Sequence, residues 1–211
     1  LALLTDENSG QDFSFCKYAI MNASECELVF FEGVLMRFLG LPWDILETDR
    51  CMVRETTVED VDAFYELYKD KEITEYMEPL FEDRDEEIEY TKSYIKNVYE
   101  FYGFGMWTVV EKNLGKVIGR AGVSYREGFA LPELGFMIGK EFWRQGYAYE
   151  VCSAIANYVY ENYDMEELLI FIEPQNTPSN LHAKKLGAVL YKEQCMGKCD
   201  CYIMKLPLSD S

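Results

Sequence analysis

The sequence predicts an α+β protein built on a sheet of mixed direction. Three observations predict it. From Cys51 onward the apolar pattern switches between a period of two and a period near 3.6, in the order βα αβββ αβ αββ. Turn signals at Asn113-Leu114-Gly115 and Arg126-Glu127-Gly128 separate three strands in succession. With 211 residues, 49% hydrophobic and 15% aromatic, the chain can bury such a sheet, which excludes a disordered or fibrous protein.

Residues 1–50 read as a separate βαβ-like segment of unknown role. Its elements are a strand from Ala2 to Thr5, a helix from Phe13 to Asn22, a strand from Glu27 to Phe31 and a short helix from Gly33 to Leu39. It has no Gly-rich phosphate loop and no paired carboxylates, and Gly40-Leu41-Pro42-Trp43 marks a linker.

Residues 51–211 form the main domain. A short strand through Met52, Val53 and Arg54 leads to Thr57 and Asp60, a near capping box that opens a helix with Val61, Phe64, Leu67 and Tyr68 on one face. A second helix runs from Asp85 to Tyr102, with acidic residues at its N-terminal dipole. Strands follow at Gly105–Glu111, Lys116–Tyr125 and Glu133–Gly139, then a helix from Tyr147 to Asn162 with an inner stripe of Val151, Ile155, Tyr158 and Val159. A strand at Leu168–Ile172, a helix from Pro178 to Leu186 closed by Gly187, and two strands at Val189–Gln194 and Cys199–Leu206 complete the order.

Thirty-eight Asp and Glu against 20 Lys and Arg give a net charge of −18. Such a field repels phosphate backbones and anionic lipid, so nucleic acid and membrane surfaces are not expected partners; it attracts amines, polyamines and basic peptides. The N-terminus lacks the basic region and apolar core of a secretory signal, and no apolar run approaches a membrane span, so the expected location is cytoplasmic. Seven cysteines in such a chain read as reduced thiols. Cys16, Cys26, Cys51 and Cys152 read as small core residues, while Cys195, Cys199 and Cys201 lack a nearby fourth ligand, so no metal is expected.

The informative stretch is Glu133 to Glu150: a strand, a tight loop and the start of a helix. A loop entering a helix presents N–H groups without intrahelical partners, and the dipole adds positive charge, which suits a phosphate. Gly146 permits close backbone approach, and Ala148 leaves the first turn unobstructed. Arg144-Gln145-Gly146-Tyr147-Ala148 resembles the acetyl-CoA pyrophosphate loop of the GNAT N-acetyltransferases, Q/R-x-x-G-x-G/A, with Trp143 in place of the first Gln or Arg. Asn176-Thr177-Pro178-Ser179, followed by Lys185-Leu186-Gly187, is similar to the family's N-x-x-S segment and its closing motif. Lys71 to Met77 stands where the branch that acetylates ribosomal-protein N-termini has its acceptor-side loop. The resemblance covers about Cys51 to Pro207 and leaves the first fifty residues unexplained.

The resemblance implies a GNAT-like mixed, mostly antiparallel sheet flanked by helices, acetyl-CoA as co-substrate without a metal, and a cationic amine acceptor, small molecule or peptide. Homodimerisation is left open. It places the cofactor on Phe136, Met137, Ile138, Arg144, Gln145, Gly146, Tyr147, Ala148, Asn176 and Lys185. In family geometry the N–H groups around Phe136 to Ile138 polarise the thioester, and the strand Leu169 to Ile172 splays from them to admit the pantetheine arm. Glu133 resembles the family's carboxylate base; its bland reading is an exposed strand-end residue. The helix after the N-x-x-S segment has no Tyr, which leaves Ser179, or no acid at all, to protonate the thiolate; Ser179 reads equally as a helix cap. His182 reads as surface or cap chemistry.

Charge is distributed along the main domain as a two-substrate cleft requires. Residues 55–100 hold sixteen acidic against five basic residues, residues 140–205 nine against seven. Lys140, Arg144, Lys184 and Lys185 are the basic candidates for the cofactor's phosphates. A non-catalytic acyl-CoA-binding module on the same fold is the competing reading.

Overall fold

The structure is a computed structural model, and it describes residues 2–3, 19–20, 28–196 and 199–209. The chain divides into two compact units, Leu1–Trp43 and Asp44–Ser211.

In the first unit, β1 (Ala2–Leu3) pairs in parallel with β2 (Ala19–Ile20), and α1 spans Leu28–Phe38. Two expectations are corrected here. Residues 19–20 are strand rather than helix, and the strand expected at Glu27–Phe31 with the helix from Gly33 is one helix. The run Leu28-Val-Phe-Phe is too short for periodicity to separate the two states. Gly40, at φ +69°, closes α1 with Leu41 N donating to Met36 O at 2.9 Å. The rest of the helix expected at Phe13–Asn22, together with Cys16 and Cys26, lies outside the described residues.

The second unit is an eight-stranded sheet in the order β3-β4-β5-β6-β7-β8-β10-β9. Its strands are β3 (Asp44–Glu47), β4 (Cys51–Arg54), β5 (Met106–Glu111), β6 (Lys116–Ser124), β7 (Glu133–Ile138), β8 (Glu167–Ile172), β9 (Val189–Met196) and β10 (Cys199–Pro207). Every neighbouring pair is antiparallel except β7 with β8. Residues 44–47, for which no strand was expected, form β3, whose half-exposed residues pair with β4.

Helices cover both faces. α6 (Tyr147–Tyr163) buries Val151, Cys152, Ile155 and Val159 against one face, where Tyr158 meets Trp107 of β5 edge to face at 6.0 Å. On the other face lie α2 (Val61–Tyr68), whose Phe64 carries the Arg120 guanidinium at 4.8 Å, α3 (Lys71–Thr74) and α4 (Arg84–Tyr94). α4 continues through a π turn at Ile95–Tyr99 into α5 (Glu100–Tyr102). The wider turn brings residues five apart to one side: Tyr94 OH accepts the Met106 amide at 2.7 Å, and the buried Tyr99 OH accepts the Thr56 amide at 3.1 Å. Gly105 is required there, since a Cβ would stand 2.8 Å from both tyrosines. The expected opening of α2 is present, with the Thr57 amide bound by Asp60 at 2.9 Å.

The last helix, α7 (Thr177–Lys185), is capped by Asn176, whose side chain accepts the Ser179 amide at 3.2 Å. It ends at Gly187, φ +98°, with Ala188 N bound to Ala183 O.

Candidate active site

The site begins where two strands part. β7 and β8 pair at a single position, Glu133 opposite Leu169, with the Leu169 amide donating to Pro132 O at 2.8 Å. On its other side β7 stays bonded to β6 as far as Gly139, whose amide donates to Ile118 O at 2.7 Å. Alternation along a strand then sets the direction of each peptide group. Pro132 O faces β8, so the N–H and C=O groups of Phe136 and Ile138 face the opening. Met137, one residue out of phase, turns its amide to β6, and its side chain is buried. Of the three strand residues expected to meet the cofactor, two present backbone to the gap.

Ile138 O is already engaged, accepting Trp143 Nε1 at 2.6 Å. Trp143, the departure from the family pattern, thus ties the next loop to the end of β7. That loop bends through two left-handed residues, Arg144 at φ +58° and Gly146 at φ +88°. The first bond of α6 is Glu150 N to Gly146 O at 3.0 Å. Among the described residues, the amides of 144–149 make no hydrogen bond of normal geometry to a protein acceptor. Successive free amides at a helix start, with αL residues between them, form an anion cradle. A Cβ on Gly146 would meet only Arg50 Nη2, at 3.5 Å, so the positive φ, not crowding, is what calls for glycine here.

The side chains of this loop divide by role. Arg144 is exposed, with no ion-pair partner among the described residues. Gln145 folds back to donate to Glu141 O at 2.7 Å, and Tyr147 is buried edge to face on Phe142. Ala148 is partly buried. Lys185 lies over the Tyr149 ring at 4.2 Å, which brings the end of α7 to the first turn of α6. Lys140 does not join this group: it is drawn to Glu72 at 2.5 Å and Asp70 at 3.6 Å, towards the acidic helices.

Sequence reasoning missed Arg50. From the turn between β3 and β4 its guanidinium binds Glu150 Oε2 at 2.6–2.7 Å and Gln145 O at 3.0 Å, and lies 3.9 Å from the centre of the Tyr147 ring. Glu150 also accepts from Thr48 Oγ1 and the Arg50 amide. Burial works to raise the Glu150 pKa, but these hydrogen bonds and the Arg50 charge hold it below the usual carboxylate range.

At the other end of the gap, Glu133 is gripped by Arg126, Nε to Oε2 at 2.7 Å and Nη2 to Oε1 at 3.0 Å. It is therefore not the free strand-end carboxylate of the bland reading. The Arg126 guanidinium stacks on Phe171, itself edge to face with Phe129. Glu133 chiefly, with Glu78 also contributing, raises the Arg126 pKa. Glu173 acts on the neighbouring Tyr76 and Cys201. Arg126 thus feels two carboxylates, Glu133 by direct hydrogen bonds and Glu78 through its charge. Beside it opens a cavity of about 550 Å³ whose lining includes Phe129, Lys192 and Gln194.

His182 is not at the surface, as expected, but half-buried 4.4 Å from the Phe136 ring, its Nε2 without a partner. Burial, then Lys185, pushes its pKa down to about 4, so it is neutral at pH 7. The Cys51 and Cys152 thiols are free and buried, Cys201 is buried and Cys195 exposed. Among the described residues no cluster of three His, Cys, Asp or Glu stands ready for a metal, and no helix is long and apolar enough to cross a membrane.

Residues 50–189 match the acetyltransferase (GNAT) domain family. The chain belongs to the GNAT family. It is 26% identical over 176 residues to the uncharacterized N-acetyltransferase p20 of Bacillus licheniformis, covering 77% of this chain and 96% of that protein. It is 27% identical to the uncharacterized N-acetyltransferase YoaA of Bacillus subtilis, over 68% of this chain and 81% of that protein. The fold matches a GNAT acetyltransferase from Bacillus anthracis with TM-score 0.65, at 20% identity over 77% of this chain and 97% of that one. It also matches RimL, a ribosomal L7/L12 alpha-N-protein acetyltransferase, with TM-score 0.68, at 14% identity over 80% and 96% of the two chains. RimL has been solved in complex with coenzyme A as well. The protein is thus an N-acetyltransferase of that family, and within its eight-stranded sheet the one parallel pair, β7 with β8, parts beside the loop of residues 144–148.

Proposed function

We propose that the protein transfers an acetyl group from acetyl-CoA to a cationic primary amine by direct attack within a ternary complex. One observation carries the proposal: β7, after parting from β8, leads into a loop whose amides have no hydrogen-bond partner among the described residues. Bound acetyl-CoA would supply an activated thioester. The amides of 144–149, with Arg144 beside them, suit its diphosphate, and Lys185 lies close by at the start of α6. Phe136 and Ile138 offer backbone groups to the pantetheine arm, and Asn176, whose Oδ1 caps α7, has Nδ2 left to donate to it.

The acceptor enters from the opposite end, through the cavity beside Arg126. The acidic excess of residues 55–100 favours a cation on that side, and Glu133 stands at the mouth of the gap. An ammonium near pKa ~10 for Lys-type amines or ~8 for an α-amine must lose a proton before it attacks. Glu133 takes that proton, directly or through one water, by exchanging one of its two bonds to Arg126. Ser179 in the first turn of α7 is the remaining candidate to return a proton to sulfur; its amide, not its hydroxyl, serves the cap.

The test is amine-dependent release of CoA thiol with a mixed panel of peptides, polyamines and small amines. Turnover with at least one cationic amine supports the proposal. Binding of acetyl-CoA with no amine-dependent turnover across the panel would favour the non-catalytic module.

A further inference from the structure

The geometry points to Arg50 as the positioning residue of the diphosphate cradle: it sets the direction of the Gly146 amide and covers the charge of Glu150. The inference rests on the reading of residues 144–149 as that cradle.

A trans peptide is planar, with its C=O and N–H pointing to opposite sides. Arg50 Nη1 holds Gln145 O at 3.0 Å, so the Gly146 N–H, in the same peptide, is turned away from Arg50. Gly146 at φ +88° is a residue whose peptide would otherwise reorient easily. Were the Gln145–Gly146 peptide to flip, a carbonyl oxygen would face the anion in place of a donor. Arg50 opposes that flip.

Its second partner presents an electrostatic problem. Glu150 lies in the first turn of α6, where a carboxylate suits the helix dipole but repels a bound diphosphate. Arg50 covers that charge with two guanidinium nitrogens, and its own amide together with Thr48 Oγ1 completes the shell around Oε1. The side chain is 37% exposed, so the arrangement is open to solvent and cofactor rather than sealed in the core.

Calorimetry with two probes tests this: CoA, and pantetheine, which shares the arm and thiol but lacks the diphosphate. R50A is expected to raise the Kd for CoA at least tenfold while leaving pantetheine within twofold. R50K keeps a charge near Glu150 but has no planar fork for Gln145 O, and should fall between; it carries the test if R50A does not fold. The double variant R50A/E150Q should regain part of the loss, which a purely structural latch would not allow. G146A is measured alongside. If G146A weakens CoA binding and R50A does not, the role of Arg50 is overturned and the cradle stands. If neither variant weakens CoA binding, the cradle reading fails and Arg50 with it. Equal weakening of CoA and pantetheine by R50A would mean general damage and would also overturn the proposal.

Discussion

Arg126 holds both carboxylate oxygens of Glu133, at 2.7 and 3.0 Å, at the one point where β7 and β8 are still joined. The pair fixes the carboxylate at the mouth of the gap. E133Q should lower kcat/KM by about 10²- to 10³-fold, the range for loss of a general base, with CoA affinity unchanged. R126A releases the carboxylate from its fixed position and should also lower kcat/KM, by less than E133Q, with CoA affinity unchanged. Steady-state rates of CoA release for both variants check this; a wild-type rate in E133Q would remove Glu133 from the mechanism.

G146A should cost about 1–3 kcal/mol, because alanine at φ +88° is strained even though space exists for its methyl group. Urea denaturation reads that cost. Stability equal to wild type would mean that the turn does not depend on glycine.

Asp60 is only 4% exposed and binds Arg54 through two bonds of 2.7 Å, with further bonds from the Thr57 amide and Thr108. Breaking the pair in R54M leaves an uncompensated buried charge and should cost about 3–5 kcal/mol. Burial alone would raise the Asp60 pKa, but Arg54 and the other donors bring it below the ordinary value. A carboxylate with a lowered folded pKa contributes stability that is complete above the unfolded value, ~3.9, and is lost as pH falls further. Urea midpoints between pH 2.5 and 7 should therefore drop steeply below about pH 4 in wild type and less steeply in D60N.

His182 gives the same sign in a different window. Its folded pKa of about 4 lies below the unfolded value of ~6.5, so it contributes stability above pH 6.5 that is lost progressively as pH falls towards 4. H182F keeps a ring against Phe136 and removes the titration. Its stability should stay flatter than wild type between pH 6.5 and 4; parallel curves would show that His182 is not buried neutral.

What the sequence made legible follows from the range over which each signal acts. The β7–loop–α6 unit is local: alternation, Gly146 and the inner stripe of α6 lie within thirty residues, and all appear in the structure. The parting of β8 from β7 matches the expectation drawn from the family resemblance. By contrast Arg50 and Glu150 are separated by 100 residues, and no spacing rule links them. β3 was hidden because four half-exposed residues after Pro42-Trp43 show no alternation. α1 was misread because an apolar run rich in Val and Phe fits strand and helix equally. Glu133 could be singled out from the sequence, but not its arginine, which sits across the hairpin turn from it.

The claim on which the account depends is that the amides of 144–149 are donors waiting for a diphosphate. Amide hydrogen exchange with and without CoA measures this directly. The account predicts fast exchange across residues 144–149 in the free protein and marked slowing there on adding CoA, with pantetheine giving no such slowing. Amides already protected without CoA, or unchanged when it is bound, would contradict it.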